Sequence, residues 1–395
     1  MPRPVSKMLA SPLRRCLGFS LIELMVAITI GLAVLAGLTT VFSNSSATYG
    51  ELEKTAQQIE NGRYAIDLIS QDLRHAGFYG QFQGSSVNPA ALPDPCEVAN
   101  LGNLNAGLAL PVQGTSAPNF TTAPAAPGTC AAWLTAANLV PGSDILAVRR
   151  ADSAVITAAP TLNEVYVQAN PVQADVQIGN PAGFLLPSLN ADNSVGVVGT
   201  TANGVAATLL KKDNVAGAAP VITAPRVAAD IRKYHVHVYF VAPCSVPQDG
   251  GDICTGAADD GGQPIPTLKR LELTQVGGAT TMRIVPLAEG IDKLQVDYGL
   301  DNQPAGVNPA TQSVGDGVPD QYTVTPALAD WRNTVTAKVF MLARSPRRTA
   351  GHTDTKIYTL GLAGTTAATN DAFKRHVFSA AVRLVNVGGR REIPE

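Results

Sequence analysis

The sequence predicts an α+β fold in which one long amino-terminal helix packs on an antiparallel, β-rich carboxyl domain. Residues 21–42 form an apolar run, and helical spacing of apolar residues then continues without a proline as far as Gly77. In the second half of the chain, short segments alternate apolar and polar residues between turn residues. A helix followed by consecutive strands is typical of α+β proteins, and we expect the amphipathic part of the helix to cover one sheet face.

The apolar run is long enough to span a membrane. Residues 21–42 carry one formal charge, on Glu23, and a helix of this length crosses a bilayer core of about 30 Å. Four basic residues precede the run: Arg3, Lys7, Arg14 and Arg15. Because positive charge is retained on the cytoplasmic side, we expect the amino end to remain in the cytoplasm.

Glu23 distinguishes this run from an ordinary signal peptide. A cut after Gly18 would precede the apolar core, whereas a secretory signal is cut after its core. A carboxylate inside the membrane costs about 2.5 kcal/mol or more unless it has a partner. Cleavage after Gly18 would create a cationic amine on Phe19, and the amine of one chain could meet Glu23 of a neighbouring chain.

Residues 18–24, Gly-Phe-Ser-Leu-Ile-Glu-Leu, follow a short basic leader. This segment resembles the class III signal of type IV pilins and type II secretion pseudopilins. The resemblance implies that a membrane peptidase cuts after Gly18 and methylates the new amine on Phe19. It also implies that Glu23, the fifth residue of the mature chain, guides assembly. The alternative is a plain membrane anchor with a chance glutamate.

Charge and cysteine content limit what the carboxyl part can bind and in which compartment it folds. Four of the 29 basic residues lie in the leader, so the mature chain has 25 basic and 31 acidic residues. Its net charge is therefore −6, which does not indicate nucleic-acid binding. Cys16 leaves with the leader, and an even number of cysteines stays in an exported domain, where disulfides persist. These are Cys96, Cys130, Cys244 and Cys254.

Three disulfide pairings are possible for these cysteines, and we favour Cys96 with Cys130 and Cys244 with Cys254. Each of these pairs joins neighbours within a turn-rich segment. A zinc site is the alternative, but no two of the cysteines have the spacing of two to four residues that zinc sites usually show.

The helix is expected to continue beyond the membrane. At 1.5 Å per residue, an unbroken helix to Gly77 would be roughly 85 Å long. Residues 43–46, Gly50 and Gly62 are its weak points, where a kink or local melting would be tolerated. Gly77 is expected to cap the carboxyl end, behind Arg74 and His75. The alternative is a membrane helix followed by a separate core helix.

Strands are expected mainly in the second half of the chain. The composition of residues 81–141 predicts loops, which Cys96 and Cys130 would crosslink. Successive antiparallel strands are expected at 268–275, 281–287 and 294–300, the first two joined around Gly277 and Gly278. The other predicted strands are residues 144–149, 163–168, 183–186, 206–211, 233–242, 334–343, 356–360 and 375–386.

Several segments resemble the PilW family of minor pilins. They are Arg-Tyr-Ala-Ile-Asp-Leu at 63–68, the helix end at 72–80, Gln-Val-Asp-Tyr-Gly at 295–299, Phe-Met-Leu-Ala-Arg-Ser at 340–345 and Val-Phe-Ser-Ala at 377–380. The resemblance covers both ends of the chain but thins across residues 81–230.

The PilW resemblance implies an inner-membrane protein with a periplasmic carboxyl domain that helps to initiate type IV pilus assembly and ends at the pilus tip. The implied partners are prepilin peptidase, other minor pilins, the major pilin, a large tip adhesin and inner-membrane lipid. The domains would be a leader at 1–18, a helix at 19–77 and a β-rich domain at 78–395 with a loop-rich variable part at about 81–230. A minor pseudopilin of type II secretion is the alternative.

The sequence contains no recognisable catalytic motif: Gly-x-Ser-x-Gly, a Walker loop and His-Glu-x-x-His are all missing. We therefore predict no enzyme and no cofactor, with a membrane-anchored periplasmic enzyme as the alternative from another class. Two weak metal candidates remain, each weighed against a purely structural interpretation. His235 and His237 share one face of the strand at 233–242, which otherwise reads as a polar sheet face. Asp316 and Asp320, with Asp301 and Asn302 upstream, resemble a calcium loop or else form a tight acidic turn, and Asp259 and Asp260 are weaker still.

Overall fold

The computed structural model describes residues 18, 20–82, 84, 89–157, 160–171, 174–179, 229–302 and 315–392. The chain divides into two compact units, Met1–Glu53 and Lys54–Glu395. A single continuous helix, α1 (Leu21–His75), contributes residues 21–53 to the first unit and residues 54–75 to the second. The expected continuity through residues 43–46, Gly50 and Gly62 is therefore confirmed.

The first unit is an apolar helix. Its large apolar side chains between Leu21 and Phe42 are all at least half exposed. Among the described helices, α1 alone is long and apolar enough to cross a membrane, judged by length and composition. A helix that is apolar on all sides is normally found in the core of a large protein or across a membrane.

The described part of the second unit combines short helices with eleven strands. Besides α1, its helices are α2 (Leu101–Gly107), α3 (Asp259–Gly262) and α4 (Val385–Gly388), with short 3-10 turns at Gly128–Ala132, Ala136–Asn138, Trp331–Asn333 and Gly361–Ala363. Its strands are β1 (Val112–Thr115), β2 (Ile145–Ala151), β3 (Val165–Ala169), β4 (Ala174–Ile178), β5 (Asp230–Ala242), β6 (Thr267–Val276), β7 (Ala279–Glu289), β8 (Ile291–Leu300), β9 (Gln321–Thr323), β10 (Thr334–Arg344) and β11 (Arg375–Arg383).

The larger sheet has seven antiparallel strands arranged around β5. One edge of β5 pairs with β2, which pairs in turn with β1. The other edge pairs first with β3, which continues to β4, and then with β6, which continues to β7. The hairpin between β6 and β7 turns at Gly277 and Gly278, both with positive φ, as the sequence predicts.

The smaller sheet has four antiparallel strands in the order β11-β10-β8-β9. Here the structure corrects the sequence, because β8 does not continue the β6–β7 meander but pairs with β10. The chain changes sheets at Gly290, whose φ is +76°. A side chain at this position would lie 2.8 Å from the carbonyl oxygen of Arg344, so both the conformation and the space favour glycine.

Two apolar cores lie on opposite faces of the larger sheet. In the first, α1 residues such as Ile69 and Leu73 pack with one face of the larger sheet and with the smaller sheet. The second core lies between the other face of the larger sheet and the disulfide-linked loops, and includes Val236, Val238 and Phe240 of β5. Both faces of the central strand are therefore covered, and the expected packing of the amphipathic helix on the sheet is confirmed.

Other sequence expectations need correction. Residues 356–360 do not form a strand and make only an isolated bridge between Thr359 and Thr365. β11 ends at Arg383, before the helical turn of α4, rather than continuing to residue 386. Residues 112–115, expected to be loop, form β1. The strands predicted at 183–186 and 206–211 lie outside the described residues.

Gly62 is the position in α1 where the helix meets β11. The aromatic ring of Phe378 occupies the space where a side chain at residue 62 would begin. Glycine has a low helix propensity, but at position 62 it permits close packing of α1 on β11. At the end of the helix, Gly77 has a φ of +75° and donates its N–H to the carbonyl oxygen of Arg149, as expected for a carboxyl-terminal cap.

Candidate functional site

The amino-terminal motif begins with a reciprocal helix cap. Gly18 is exposed, and Phe19 lies outside the described residues. The N–H of Ser20 donates to Oε2 of Glu23 at 2.9 Å, and the N–H of Glu23 donates to Oγ of Ser20 at 3.2 Å. This arrangement is a capping box, which satisfies two backbone donors at the start of a helix.

The capping box gives Glu23 a role within its own chain that the sequence analysis did not identify. The signal was present, because a serine three residues before a glutamate, immediately ahead of an apolar run, is the pattern of a capping box. A carboxylate has two oxygens and about four acceptor positions. In the described residues only Ser20 bonds it, so the cap leaves Oε1 available to a second donor.

The carboxyl end of α1 is fixed by a buried ionic cluster centred on Asp72. Its Oδ1 accepts from Nε of Arg150 at 2.6 Å, and its Oδ2 lies 2.7 Å from Nδ1 of His237 and 3.0 Å from the hydroxyl of Tyr239. Burial disfavours the charged carboxylate, but His237 and Arg150 outweigh that effect and hold the pKa of Asp72 well below its usual range. The cluster binds α1 to strands β2 and β5.

The two histidines proposed as metal ligands do lie side by side, with ring centroids 5.6 Å apart. His237 is engaged by Asp72, while Nε2 of His235 lies 3.9 Å from a carboxylate oxygen of Asp152. Burial, together with the charges of Arg150 and His237, lowers the pKa of His235 to about 4. Within the part of the chain that the structure describes, neither histidine belongs to a cluster of three metal-ligating groups.

The sequence suggested that the histidines lie on a polar sheet face, but in the structure much of this face of β5 is buried. His237 is 5% exposed and Tyr239 is fully buried. At His237 and Tyr239 this face is closed to solvent, because α1 covers it and supplies Asp72 as the partner of these two side chains, while His235 stays partly exposed. Alternation along one strand identifies two faces but does not identify what covers each of them.

The four cysteines of the carboxyl part form two disulfides, Cys96–Cys130 and Cys244–Cys254. Two clusters of potential metal ligands each contain one of these disulfides and one aspartate, Asp94 or Asp259. Oxidised sulfurs are not thiolates, and the thiolate is the form that binds metals. Both aspartates instead accept hydrogen bonds from neighbouring backbone N–H groups, such as those of Thr129 and Gln248. The clusters therefore serve to order the loops.

The weak calcium candidates are likewise engaged with the protein. Asp316 accepts from the N–H of Val318, and Asp320 accepts from the N–H of Asn302. Asp301 is buried and binds Nε of Arg391 at 2.9 Å. Each of these carboxylates thus has a structural role within the described residues, either in a loop hydrogen bond or in a salt bridge.

Comparisons with known proteins agree at the two ends of the chain. Residues 13–39 match the family model of the prokaryotic N-terminal methylation motif, and residues 255–386 match that of PilW, the type IV pilus-assembly protein W. No curated protein matches the chain. A type IV-like pilin from Thermus thermophilus is similar over 39% of this chain and 79% of that chain, with 14% identity and a TM-score of 0.19, too low to carry an argument.

The two family matches fit the architecture described above. The methylation motif covers the capping box and most of the apolar part of α1, and the PilW match includes all strands from β6 to β11. Neither description is that of an enzyme. A match to the methylation motif thus covers the start of the apolar helix, and a match to PilW covers the carboxyl strands, so the two matches together support a PilW-like type IV pilin.

Proposed function

We propose that this chain is a minor pilin that is cleaved between Gly18 and Phe19 and helps to initiate type IV pilus assembly at the filament tip. The observation that carries the proposal is the combination of a methylation motif at residues 13–39 with a PilW region at residues 255–386. Before assembly, α1 anchors the chain in the inner membrane, and the carboxyl domain lies in the periplasm. The two disulfides support an oxidising location for that domain.

The proposed domain organisation follows the processing step. Residues 1–18 form the leader, and residues 19–77 form a helix whose segment at about 21–42 lies in the membrane. Residues 78–395 form the periplasmic domain, in which the part at about 81–230 supplies a variable surface. Prepilin peptidase processes the chain, which then joins other minor pilins, the major pilin and a tip adhesin.

Glu23 is proposed to act twice, first as part of the helix cap and then as the partner of the methylated amine of a neighbouring Phe19. The capping box supports this dual role because Ser20 occupies only one carboxylate oxygen. An ion pair between chains would offset the cost of placing a carboxylate in the membrane and would fix the stagger of neighbouring subunits.

The processing step is tested with a Gly18→Ala chain. We expect this chain to retain its leader, and mass spectrometry of the purified protein shows whether its amino terminus is Met1 or a methylated Phe19. Gly31→Ala is a matched control, because residue 31 lies within the helix with open space around it. A Gly18→Ala chain that begins at Phe19 would contradict the proposed cleavage.

The two roles of Glu23 are separated by comparing Glu23→Gln with Glu23→Ala. Glutamine can complete a capping box but carries no charge. Alanine carries no charge and cannot complete the box either. If assembly depends on the ion pair, both variants are processed normally and both are depleted from sheared filaments. Wild-type amounts of the glutamine variant alone would leave only the capping role, and wild-type amounts of both would remove any role in assembly.

The pilus function is tested by deleting the gene and restoring it. We expect surface pili and twitching to be lost together and to return with the wild-type chain. Normal pili with defective exoprotein release would instead favour a minor pseudopilin of type II secretion. Turnover of a substrate by the purified carboxyl domain would favour the membrane-anchored enzyme.

A further inference from the structure

Strand β11 is a long sheet edge that lacks the usual protection against pairing. The other edge strands of the described sheets are either short, as β1, β4 and β9 are, or interrupted, as β7 is by Pro286 and by a register shift against β6. β11 contains nine residues without a proline, and its register with β10 is unbroken. Natural proteins usually shorten, bulge or charge such an edge because its backbone groups can pair with another chain.

The hydrogen bonds at both ends of the β10–β11 ladder show which groups face outward. The N–H of Ser345 donates to the carbonyl oxygen of Lys374, and the N–H of Leu384 donates to that of Val335. In an antiparallel ladder the bonded pairs recur at every second residue. Even-numbered residues of β11 therefore bond β10, and the backbone groups of Val377, Ser379 and Ala381 point to the free edge.

The same strand forms one wall of a groove of about 450 Å³. The opposite wall is α1, with Gln58 and Ile59, and the loop at residues 352–358 closes a third side. His376 and Phe378 of β11 line the groove, their rings 4.8 Å apart and edge to face. Nε2 of His352, also in the groove, is buried without a hydrogen-bond partner among the described residues.

The groove is strongly cationic. Four permanent cations line it against one carboxylate, that of Asp354: Arg63, Lys356, Lys374 and Arg375. Asp354 is buried and already paired with Arg375, which also binds Asp292 and Asp371. Arg63 and Lys356 are exposed, and within the described residues no hydrogen bond or ion pair engages the guanidinium of Arg63 or the ammonium of Lys356, although the backbone N–H of Lys356 donates to Asp354. The charge left unbalanced on this surface is therefore positive.

We propose that the free edge of β11 takes up an extended, acidic strand from a partner protein. The partner backbone pairs with the outward groups of Val377, Ser379 and Ala381 and adds a fifth strand to the smaller sheet. Because successive side chains of a strand point to opposite faces, its acidic side chains lie on the α1 side, near Arg63 and Lys356, and its apolar side chains lie on the face of the sheet that carries Val377. Backbone pairing supplies affinity, and the cationic groove supplies selectivity for acidic sequences. This inference does not rest on the proposed pilus role.

The first test uses the full-length chain in detergent and a labelled short peptide in which aspartate and valine alternate. Fluorescence anisotropy should show saturable binding that weakens with added salt. A peptide in which lysine replaces every aspartate should bind at least about tenfold more weakly. Double substitution of the cations, Arg63→Glu with Lys356→Glu, should reverse this preference. Absence of binding, or equal binding of both peptides, would overturn the proposal.

The second test removes one outward N–H from the edge. Ser379→Pro deletes that donor without breaking a hydrogen bond to β10, a position where edge strands tolerate proline. Ser379→Ala, which keeps the N–H, is the matched control. We expect the proline variant to bind the acidic peptide at least about tenfold more weakly than the alanine variant, with Ala381→Pro as a second variant should Ser379→Pro fail to fold.

Unchanged peptide binding by a folded proline variant would show that the peptide does not pair with β11. Dimers of the full chain that Ser379→Pro dissociates would assign the edge to a second copy of this protein. Either result would overturn the proposal of an acidic partner strand.

Discussion

Asp72 of α1 and His237 of β5 are joined by a 2.7 Å contact between Oδ2 and Nδ1, and both residues are less than a tenth exposed. Arg150 approaches the other carboxylate oxygen from β2. A single carboxylate thus ties the end of the long helix to two adjacent strands of the larger sheet. Because Asp72 and His237 are buried and Arg150 is only 24% exposed, removal of the carboxylate leaves its partners with little compensation from water.

Replacing Asp72 with asparagine should strongly destabilise the carboxyl domain. Removal of one partner from a fully buried ion pair typically costs about 3–5 kcal/mol, and we expect a loss towards the lower end of this range because Arg150 is 24% exposed and can be partly hydrated. Urea denaturation of the full chain in detergent, followed by tryptophan fluorescence, measures this loss.

Asp67→Asn is the matched control for the Asp72 variant. Asp67 lies on the same helix but is exposed, and among the described residues its carboxylate accepts a hydrogen bond from the side chain of Gln71 alone. We expect this control to change the free energy of unfolding by no more than about 0.5 kcal/mol. Equal losses in the two variants would show that the buried cluster does not stabilise the fold.

His235 should make the domain less stable as the pH falls from about 6.5 towards 4. Its pKa of about 4 in the folded state lies below the ordinary histidine pKa of 6.5, so the folded state binds fewer protons than the unfolded state in this interval. The stability that depends on neutral His235 is complete above pH 6.5 and is lost as the pH falls through the folded pKa. His235→Gln should therefore lose less stability than the wild type between pH 6.5 and 4.

The His235 experiment is evaluated from the difference between the wild type and His235→Gln in their curves of unfolding free energy against pH. Neither curve is interpreted alone. Burial raises the pKa of Asp144 to about 7, which contributes a slope of opposite sign in both chains. The low pKa of Asp72 acts only below the usual range of aspartate. Parallel curves of unfolding free energy against pH for the wild type and His235→Gln would contradict the prediction.

Gly62→Ala should destabilise the packing of α1 on β11. The added methyl group would overlap the ring of Phe378, and overpacking of a well-packed interface typically costs about 1–3 kcal/mol. On an exposed helix the same change would be favourable by about 0.5–1 kcal/mol, because alanine is the better helix former. The sign of the effect on the melting temperature therefore distinguishes the two environments.

A double-mutant cycle with Phe378→Ala isolates this contact. Once the ring has been removed, Gly62→Ala should cost little or become stabilising. If Gly62→Ala costs the same with and without the ring, contact with Phe378 is not the reason that residue 62 is glycine.

Local patterns predicted the long elements well. The absence of proline and the helical spacing of Ile59, Ile66, Ile69 and Leu73 indicated one helix, and α1 is continuous from Leu21 to His75. The alternation in β5 and the glycine pair between β6 and β7 gave the strands and the hairpin. These features depend on residues close in sequence, so a single chain carries enough information to predict them.

Features that depend on distant partners were not predictable in the same way. The partner of His237 is Asp72, 165 residues earlier, and no local pattern joins them. In the sequence, Gly62 looked like a weak point of the helix. The ring that requires a glycine at this position is that of Phe378, which belongs to a strand at the other end of the chain. The change of sheet at Gly290 likewise follows from the pairing of β8 with β10. The capping box of Ser20 and Glu23, by contrast, was present in the sequence.

The two disulfides should stabilise the domain unequally. In the chain-entropy model a crosslink stabilises by restricting the unfolded chain, and the effect grows with the number of residues enclosed. The sequence separations are 34 for Cys96–Cys130 and 10 for Cys244–Cys254. The model then gives roughly 4 and 3 kcal/mol, so loss of the first bond should cost about 1 kcal/mol more.

Replacing each pair with serine and comparing melting temperatures without reductant tests the order of these effects. The Cys96→Ser, Cys130→Ser chain should melt below the Cys244→Ser, Cys254→Ser chain, and both should melt below the wild type. Under reductant, all three melting temperatures should move closer together, because the wild type loses both crosslinks. A lower melting temperature for the chain without Cys244–Cys254 would show that the small loop stabilises through folded-state contacts. The close approach of the buried Lys269 to both of its sulfurs is the contact to examine in that case.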